Sequence, residues 1–178
     1  MRRFVVAFSA FALLAASCST ETSTATEHAA SPPTQQSPAS RPVAHVGDTL
    51  NLMRIGEQKI TVTLLQVINP AIVPNGWGDA AKTYIATKLK ITNAGTSTIV
   101  GNTNSDVSVV GSDNQSYKAD FATVTECKDF VDGWFLLAAG ASTTGCVVFG
   151  LPQGVTPVKV KYAPSSGISH DVGEWLNP

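Results

Sequence analysis

The chain has 178 residues and carries 12 basic and 13 acidic side chains, a formal net charge of −1. This balance gives no electrostatic footprint for nucleic acid, which recruits clustered lysine and arginine. The length leaves room for one folded domain of ordinary size and no more once a leader and a linker are set aside.

Residues 1–17 have the organisation of an export signal. Arg2 and Arg3 precede an apolar run over residues 4–16, and small residues stand directly before Cys18. The run is shorter than the roughly 20 residues that a membrane-spanning helix needs. The pattern resembles a bacterial lipoprotein signal, which implies diacylation of the Cys18 thiol and a mature chain that begins there. An ordinary secretory signal is the alternative, and it would leave Cys18 without a role.

Residues 18–42 are predicted to be the lipidated cysteine followed by a disordered tether. Ser, Thr, Ala, Gln and Pro dominate this segment, which has almost no bulky apolar side chain to bury. A flexible coil of this length reaches on the order of 25 Å. Without Arg2 and Arg3 the mature chain keeps 10 basic and 13 acidic side chains, a net charge of −3. We therefore expect membrane contact through the acyl chains, at the extracytoplasmic face of a bacterial cell membrane.

Residues 43–178 are predicted to form one all-β domain. Apolar residues alternate along residues 59–64, and the phase slips at Leu64 and Leu65, which indicates either a bulge or a strand buried on both faces. Turn residues 111–114 separate two strands in the manner of a hairpin. About seven short strands at this spacing favour an antiparallel sandwich over the alternative of a small closed barrel. The predicted strands span residues 59–64, 83–92, 106–110, 115–121, 143–151 and 158–162.

The strand at residues 83–92 has the clearest alternation in the chain. A half-buried strand places alternate side chains on opposite faces. The pattern predicts two sets of four, with Ile85, Thr87, Leu89 and Ile91 inward and Tyr84, Ala86, Lys88 and Lys90 outward.

Cys127 and Cys146 are the two cysteines left after Cys18 is assigned to lipid. An exported protein meets an oxidising compartment, where pairing is the default for such cysteines. We predict a disulfide that joins the long segment at residues 121–141 to the strand carrying Cys146. A metal site is the alternative, but it would need two more ligands at suitable spacing. No cofactor and no metal are predicted.

Two blocks carry a family resemblance. Residues 84–95 form an apolar strand that ends in Asn93, Ala94 and Gly95, and residues 140–152 run through Cys146 to Pro152. These blocks resemble the bacterial extracellular immunoglobulin-like domains, a group classed largely as a domain of unknown function and similar to the mycobacterial secreted immunoprotective antigen fold. The resemblance spans most of residues 46–162. It implies an immunoglobulin-like β-sandwich and carries over no catalytic residue.

Few residues suggest catalytic or metal-binding chemistry. His170 and Asp171 lie near three serines, but neighbours in sequence do not make a triad, and no Gly-x-Ser-x-Gly elbow is present. Glu126, Asp129 and Asp132 lack the spacing of a calcium loop and are interpreted as a solvated acidic face. The sequence therefore predicts no enzyme, and we name no catalytic residue.

Two aromatic features are candidates for partner binding. Trp77 lies in a glycine-rich loop, and Trp134 and Phe135 lie in the apolar segment at residues 130–137. Aromatic residues are enriched at interface hot spots, but burial against the sandwich is the alternative for each. The leading hypothesis is a non-catalytic lipoprotein that binds an envelope protein. A carrier of a small lipid or glycan is the second hypothesis, and an envelope enzyme is the third.

Overall fold

The computed structural model describes residues 43–74 and 78–176. The predicted signal, the tether, Cys18 and Trp77 lie outside the described residues. A single turn of helix, α1 (Thr103–Asp106), and three 3-10 turns at Ile55–Glu57, Val131–Gly133 and Pro164–Gly167 connect the strands of this part of the chain. The strands are β1 (Ala44–His45), β2 (Thr49–Met53), β3 (Lys59–Ile68), β4 (Lys82–Asn93), β5 (Ile99–Asn102), β6 (Val107–Gly111), β7 (Ser116–Lys118), β8 (Trp134–Leu137), β9 (Ser142–Pro152), β10 (Pro157–Tyr162) and β11 (Gly173–Leu176).

Two sheets and a separate ribbon make up the domain. The first sheet has the order β1-β11-β10-β6-β7, the second has the order β2-β3-β4-β9, and β5 pairs with β8 alone. Every strand pair is antiparallel except β1 with β11. The predicted antiparallel immunoglobulin-like β-sandwich is therefore confirmed.

Large side chains from both sheets meet in one core. Trp175 and Tyr162 come from the first sheet and Phe149 comes from the second, and all three are fully buried. Burying a side chain of this size contributes on the order of 2 kcal/mol to stability. The Trp175 indole also donates a hydrogen bond from Nε1 to the Asp48 carbonyl, at 3.0 Å, so its polar atom is satisfied.

The predicted bulge and hairpin are both present. The register between β3 and β4 shifts between Leu64 and Gln66, so one residue of β3 has no partner on β4. Strands β6 and β7 form an antiparallel pair around the turn at residues 111–114, where Asn114 has a positive φ of 63°. Asparagine tolerates this left-handed conformation better than most residues.

The outward face of β4 differs from the prediction. Tyr84 and Ala86 were expected to face solvent, but they are 9% and 0% exposed. They belong to a second apolar cluster with Val148 of β9 and with Ala71 and Val124, two residues that lie outside the strands. Strict alternation fails here because loops cover the outer face of this end of the sheet.

Residues 119–133, which we call the covering loop, supply part of that cover. The loop runs along β9, and the Asp120 amide donates to the Val148 carbonyl at 2.8 Å. The Cys146 amide donates to the Lys128 carbonyl at 3.0 Å. The predicted disulfide between Cys127 and Cys146 is confirmed, and it joins the loop to β9.

Several shorter elements were missing from the prediction or differ from it. Strand β7 ends at Lys118, whereas residues 115–121 were expected to be extended throughout. Phe121 is 92% exposed and contributes little to the core. Four strands were not predicted because each has five residues or fewer: β1, β2, β5 and β11. Strands β1 and β5 also pair with strands that lie far away in the sequence, and β2 has weak apolar alternation.

Replacing both cysteines, as Cys127→Ala with Cys146→Ala, should lower the free energy of unfolding by about 3 kcal/mol. The unfolded chain regains the freedom of the loop that the disulfide closes. Urea denaturation followed by tryptophan fluorescence measures the change. A chemical reductant should produce the same loss in the wild type and none in the double variant. An unchanged urea midpoint in the double variant would contradict this role of the disulfide.

Candidate interaction surface

The apolar segment that contains Trp134 and Phe135 forms β8, and its side chains alternate between solvent and core. Trp134 and Leu136 are 58% and 69% exposed, whereas Phe135 and Leu137 are 6% and 5% exposed. The expectation that Trp134 and Phe135 share one partner-binding surface is therefore corrected. Successive residues of a strand point to opposite faces, so a partner on the outer face meets Trp134 and not Phe135.

Strand β5 completes an exposed apolar surface beside β8. Val100 lies directly opposite Leu136 in the pairing, and it is 52% exposed. Cross-strand partners lie side by side on one face of a sheet. We call Val100, Trp134 and Leu136 the ribbon face. Sequence reasoning identified Trp134 but missed Val100 and Leu136, because four consecutive apolar residues at 134–137 do not show which of them face solvent.

A glycine lets the inner face of the ribbon close tightly. Gly101 lies opposite Phe135, and a Cβ at Gly101 would clash with the Phe135 ring. Any larger residue at this position would therefore displace the ring. Phe135 stays in the core, and the strand is held with Trp134 and Leu136 outward.

Arg54 fixes one edge of the ribbon. Its Nη2 donates to the Val100 carbonyl, and its Nη1 donates to Gln58 Oε1 at 3.2 Å. Its guanidinium lies 6.0 Å from the centre of the Phe135 ring, a distance at which a cation is attracted to an aromatic face. Arg54 is 9% exposed. The ribbon is therefore braced by a buried cation and does not depend on backbone pairing alone.

Hydrogen bonds from the side chains of Asn102 and Thr103 hold the other end of the ribbon. Asn102, opposite Trp134, donates from Nδ2 to the Asp132 carbonyl at 3.2 Å and caps α1 by accepting from the Asn104 amide at 2.9 Å. Thr103 Oγ1 donates to the Gly133 carbonyl at 3.0 Å. Capping of this kind satisfies amides that a helix leaves unpaired at its start.

A groove lies next to this end of the ribbon, between α1 and the covering loop. Its volume is about 150 Å³. It contains three carboxylates and the exposed Phe121, and we call it the acidic groove. Its lining residues are Asn104, Asp120, Phe121, Ala122, Thr123, Asp129, Phe130, Asp132 and Cys146.

The carboxylates of the groove differ in their partners. Asp120 Oδ2 accepts a hydrogen bond from Lys82 Nζ at 3.0 Å, and the two form an ion pair. Asp129 Oδ1 is buried and has no hydrogen-bond partner among the described residues. Burial raises the pKa of the Asp129 carboxyl above its ordinary value. The groove therefore presents negative charge that the described residues only partly balance.

A cluster of hydrogen-bonded polar groups is buried around Asp106 of α1. Asp106, at 3% exposure, accepts from the Ser166 amide at 2.8 Å and from the Tyr162 hydroxyl at 3.3 Å. Burial raises the pKa of the Asp106 carboxyl, while these hydrogen bonds act in the opposite direction. Burial and the neighbouring carboxylate also place the pKa of Tyr162 well above its ordinary value. Nothing in the sequence pattern signalled this cluster.

Asp171 and Ser169, two of the residues considered for catalysis, make structural hydrogen bonds. Asp171 Oδ2 accepts from the Met53 amide at 2.7 Å, and Ser169 Oγ donates to the Pro164 carbonyl at 2.9 Å. His170 is exposed. Glu126 accepts from the Ile72 amide at 2.8 Å. Among the residues that the structure describes, no group of three or more His, Cys, Asp or Glu is placed to hold a metal ion.

Residues 45–172 match the model of a family described as Domain of unknown function (DUF4352). The chain belongs to this family. The resemblance predicted from its two sequence blocks is confirmed. In the DUF4352 domain, no helix of the described residues is long and apolar enough to cross a membrane.

The DUF4352 domain is similar in fold to several solved structures. MPT63, a secreted protein from Mycobacterium tuberculosis, has a TM-score of 0.59 and 16% identity, and the match covers 78% of this chain and 99% of that one. The yjhA protein of Bacillus subtilis has a TM-score of 0.47 and 15% identity, over 68% and 82% of the two chains. An uncharacterised β-sandwich protein of Clostridium difficile 630 has a TM-score of 0.41 and 11% identity, over 74% and 94%. No curated protein matches the sequence.

We expect Asp106→Ala to destabilise the DUF4352 domain by about 2–4 kcal/mol, because it leaves the Ser166 amide and the Tyr162 hydroxyl without an acceptor. Asp106→Asn keeps one oxygen for the Ser166 amide, and the Tyr162 hydroxyl can turn to accept a hydrogen bond from the new amide nitrogen. This variant should therefore cost less than about 1 kcal/mol at neutral pH. Urea denaturation measures both variants. Equal losses for the two substitutions would show that the acceptor is not what matters.

A comparison of the wild type with Asp106→Asn also tests the raised pKa of the Asp106 carboxyl. A raised pKa in the folded state means that stability is greatest below the unfolded-state pKa, about 3.9, and falls as the pH rises through the folded-state value. The stability of the wild type relative to Asp106→Asn should therefore fall as the pH is raised from about 3 to 7. A constant difference across this range would contradict the effect of burial.

Proposed function

We propose that the chain is an exported, lipid-anchored envelope protein that binds a protein partner through the ribbon face and carries out no catalysis. The observation that carries the proposal is the contiguity of Val100, Trp134 and Leu136, each more than half exposed on two paired strands. Single exposed apolar residues are common on proteins, but contiguous ones are typical of interaction sites. An exposed tryptophan in such a surface is also typical of interface hot spots.

The packing of the core favours binding of a partner at the surface over binding of a small ligand inside the sandwich. Trp175, Tyr162 and Phe149 occupy the space between the two sheets. A carrier of a small lipid or glycan would need that space, since bound small molecules are largely enclosed by their sites. The carrier hypothesis therefore has less support than the binding hypothesis.

The N-terminal pattern supports the anchor, and the likeness to a secreted protein supports export. Cys18 follows a short apolar run and small residues, as a lipidation site requires. MPT63 is described as secreted, which agrees with export of this chain. The tether at residues 18–42 would give the domain reach above the membrane. Trp77 remains a predicted second contact.

Cys18→Ser should move the protein from the membrane fraction to the soluble fraction of the envelope, because it removes the thiol that carries the acyl chains. Fractionation followed by immunoblotting measures the shift. Ser17→Ala, which keeps the cysteine and a small residue before it, is the matched control and should stay with the membrane. Membrane retention of the Cys18→Ser protein would refute the anchor.

A photo-crosslinking amino acid at Leu136 should capture a partner in intact cells, whereas the same amino acid at Val158 of β10 should not. Val158 is 36% exposed on the first sheet, away from the ribbon. Trp134→Ala should abolish the Leu136 crosslink, since loss of a hot-spot tryptophan typically weakens binding at least tenfold. Equal crosslinking from both positions would count against the ribbon face. Thermal unfolding of each variant confirms that the domain is folded.

A further inference from the structure

The ribbon face continues into the acidic groove. Asp132 lies two residues before Trp134, and its carbonyl accepts from Asn102, the residue opposite Trp134. Asn104 of α1 lines the groove together with Asp132. An apolar surface and a negatively charged recess therefore meet at one end of the ribbon.

The covering loop carries far more negative than positive charge. Residues 120–132 contain four carboxylates, Asp120, Glu126, Asp129 and Asp132, and one basic residue, Lys128. Of the carboxylates in the groove, only Asp120 has an ion-pair partner among the described residues, which is Lys82. A partner with positive charge would gain from contact here, because complementary potentials steer and orient association.

Phe121 adds a surface suited to a long basic side chain. It is 92% exposed and lines the groove with Asp120 and Asp129. The methylene groups of lysine or arginine pack on apolar surfaces while the charged end remains solvated or paired. A cation can also be attracted to the face of an aromatic ring.

We infer that the ribbon face and the acidic groove form one docking surface for a protein segment that presents a basic side chain beside apolar ones. The inference rests on the proposed function, to which it adds the chemistry of the partner. The apolar side chains lie on Val100, Trp134 and Leu136, and the basic side chain enters the groove between Phe121 and Asp129.

Other occupants fit the charge less well. The surface of an anionic membrane attracts basic segments, so it would repel the carboxylates beside the ribbon. A nucleic acid backbone would be repelled for the same reason. A second copy docked through the same face would bring two sets of carboxylates together, and like charges across an interface are unfavourable. A basic protein segment is the occupant that the charges favour.

Fluorescently labelled synthetic peptides test the inference by anisotropy. The three probes alternate lysine with leucine, lysine with serine, and glutamate with leucine. The protein used is the chain with Cys18→Ser, which removes the predicted acylation site. We expect the lysine–leucine peptide to bind most tightly, with an affinity that falls as salt is added.

Variants of the two parts of the surface separate their contributions. Trp134→Ala should weaken binding of the lysine–leucine peptide at least tenfold. Asp129→Asn with Asp132→Asn should weaken it about two- to fivefold for each charge removed and should flatten its salt dependence. Val158→Ala is the apolar control, and Asp48→Asn is the charge control beside β2, at the opposite edge of the second sheet from β9. Both controls should bind as the wild type does. Leu136→Ala replaces Trp134→Ala if the latter unfolds.

The outcomes distinguish this inference from the function on which it rests. One result would refute a preference for a basic partner but support binding at the ribbon face. In that result the glutamate–leucine peptide binds as tightly as the lysine–leucine peptide, and Trp134→Ala weakens the binding of both. If the paired asparagine variant binds as the wild type does, the role of the groove is overturned. If no variant changes binding, the docking surface is overturned, and crosslinking from Leu136 decides the proposed function independently.

Discussion

One end of strand β4 must be buried on both faces, and much of the domain follows from this constraint. It lies between β3 and β9, and its inward residues fill the core between the sheets. Its outward residues Tyr84 and Ala86 are also apolar, and loops must cover them. An exposed sheet face with such residues would leave large apolar surface in water. The covering loop meets this need, and the disulfide between Cys127 and Cys146 joins it to β9.

The covering loop links the stability of the fold to the candidate site. The residues that follow its docked part turn through Val131–Gly133 and enter β8. The position of the ribbon therefore depends on how the loop lies along β9. Phe130 and Phe135 are both buried, and they anchor the segment on either side of that turn. Trp134 and Leu136 point outward because their neighbours in β8, Phe135 and Leu137, are buried in the core.

The sequence predicted the long strands well and the site only in part. Strands β3, β4, β6 and β10 have period-two apolar patterns, whereas β9 has a continuous apolar run at residues 146–149. The phase slip at Leu64 corresponds to a real bulge. Periodicity reports one buried face, so it could not show that a distant loop buries Tyr84 and Ala86. It also could not pair β5 with β8, because that pairing depends on the tertiary fold. The Asp106 cluster was missed for the same reason, since its partners lie about 60 residues away.

The ribbon face is the part of the domain that folding explains least. Gly101, Phe135 and Arg54 account for the closure of the ribbon on its inner side. Val100, Trp134 and Leu136 gain little from that closure, because more than half of each side chain remains in water. Polar residues at these three positions would leave the core contacts unchanged, and they would remove apolar surface that favours association with other molecules. A contact outside the chain therefore gives these side chains a physical role that the sandwich itself does not.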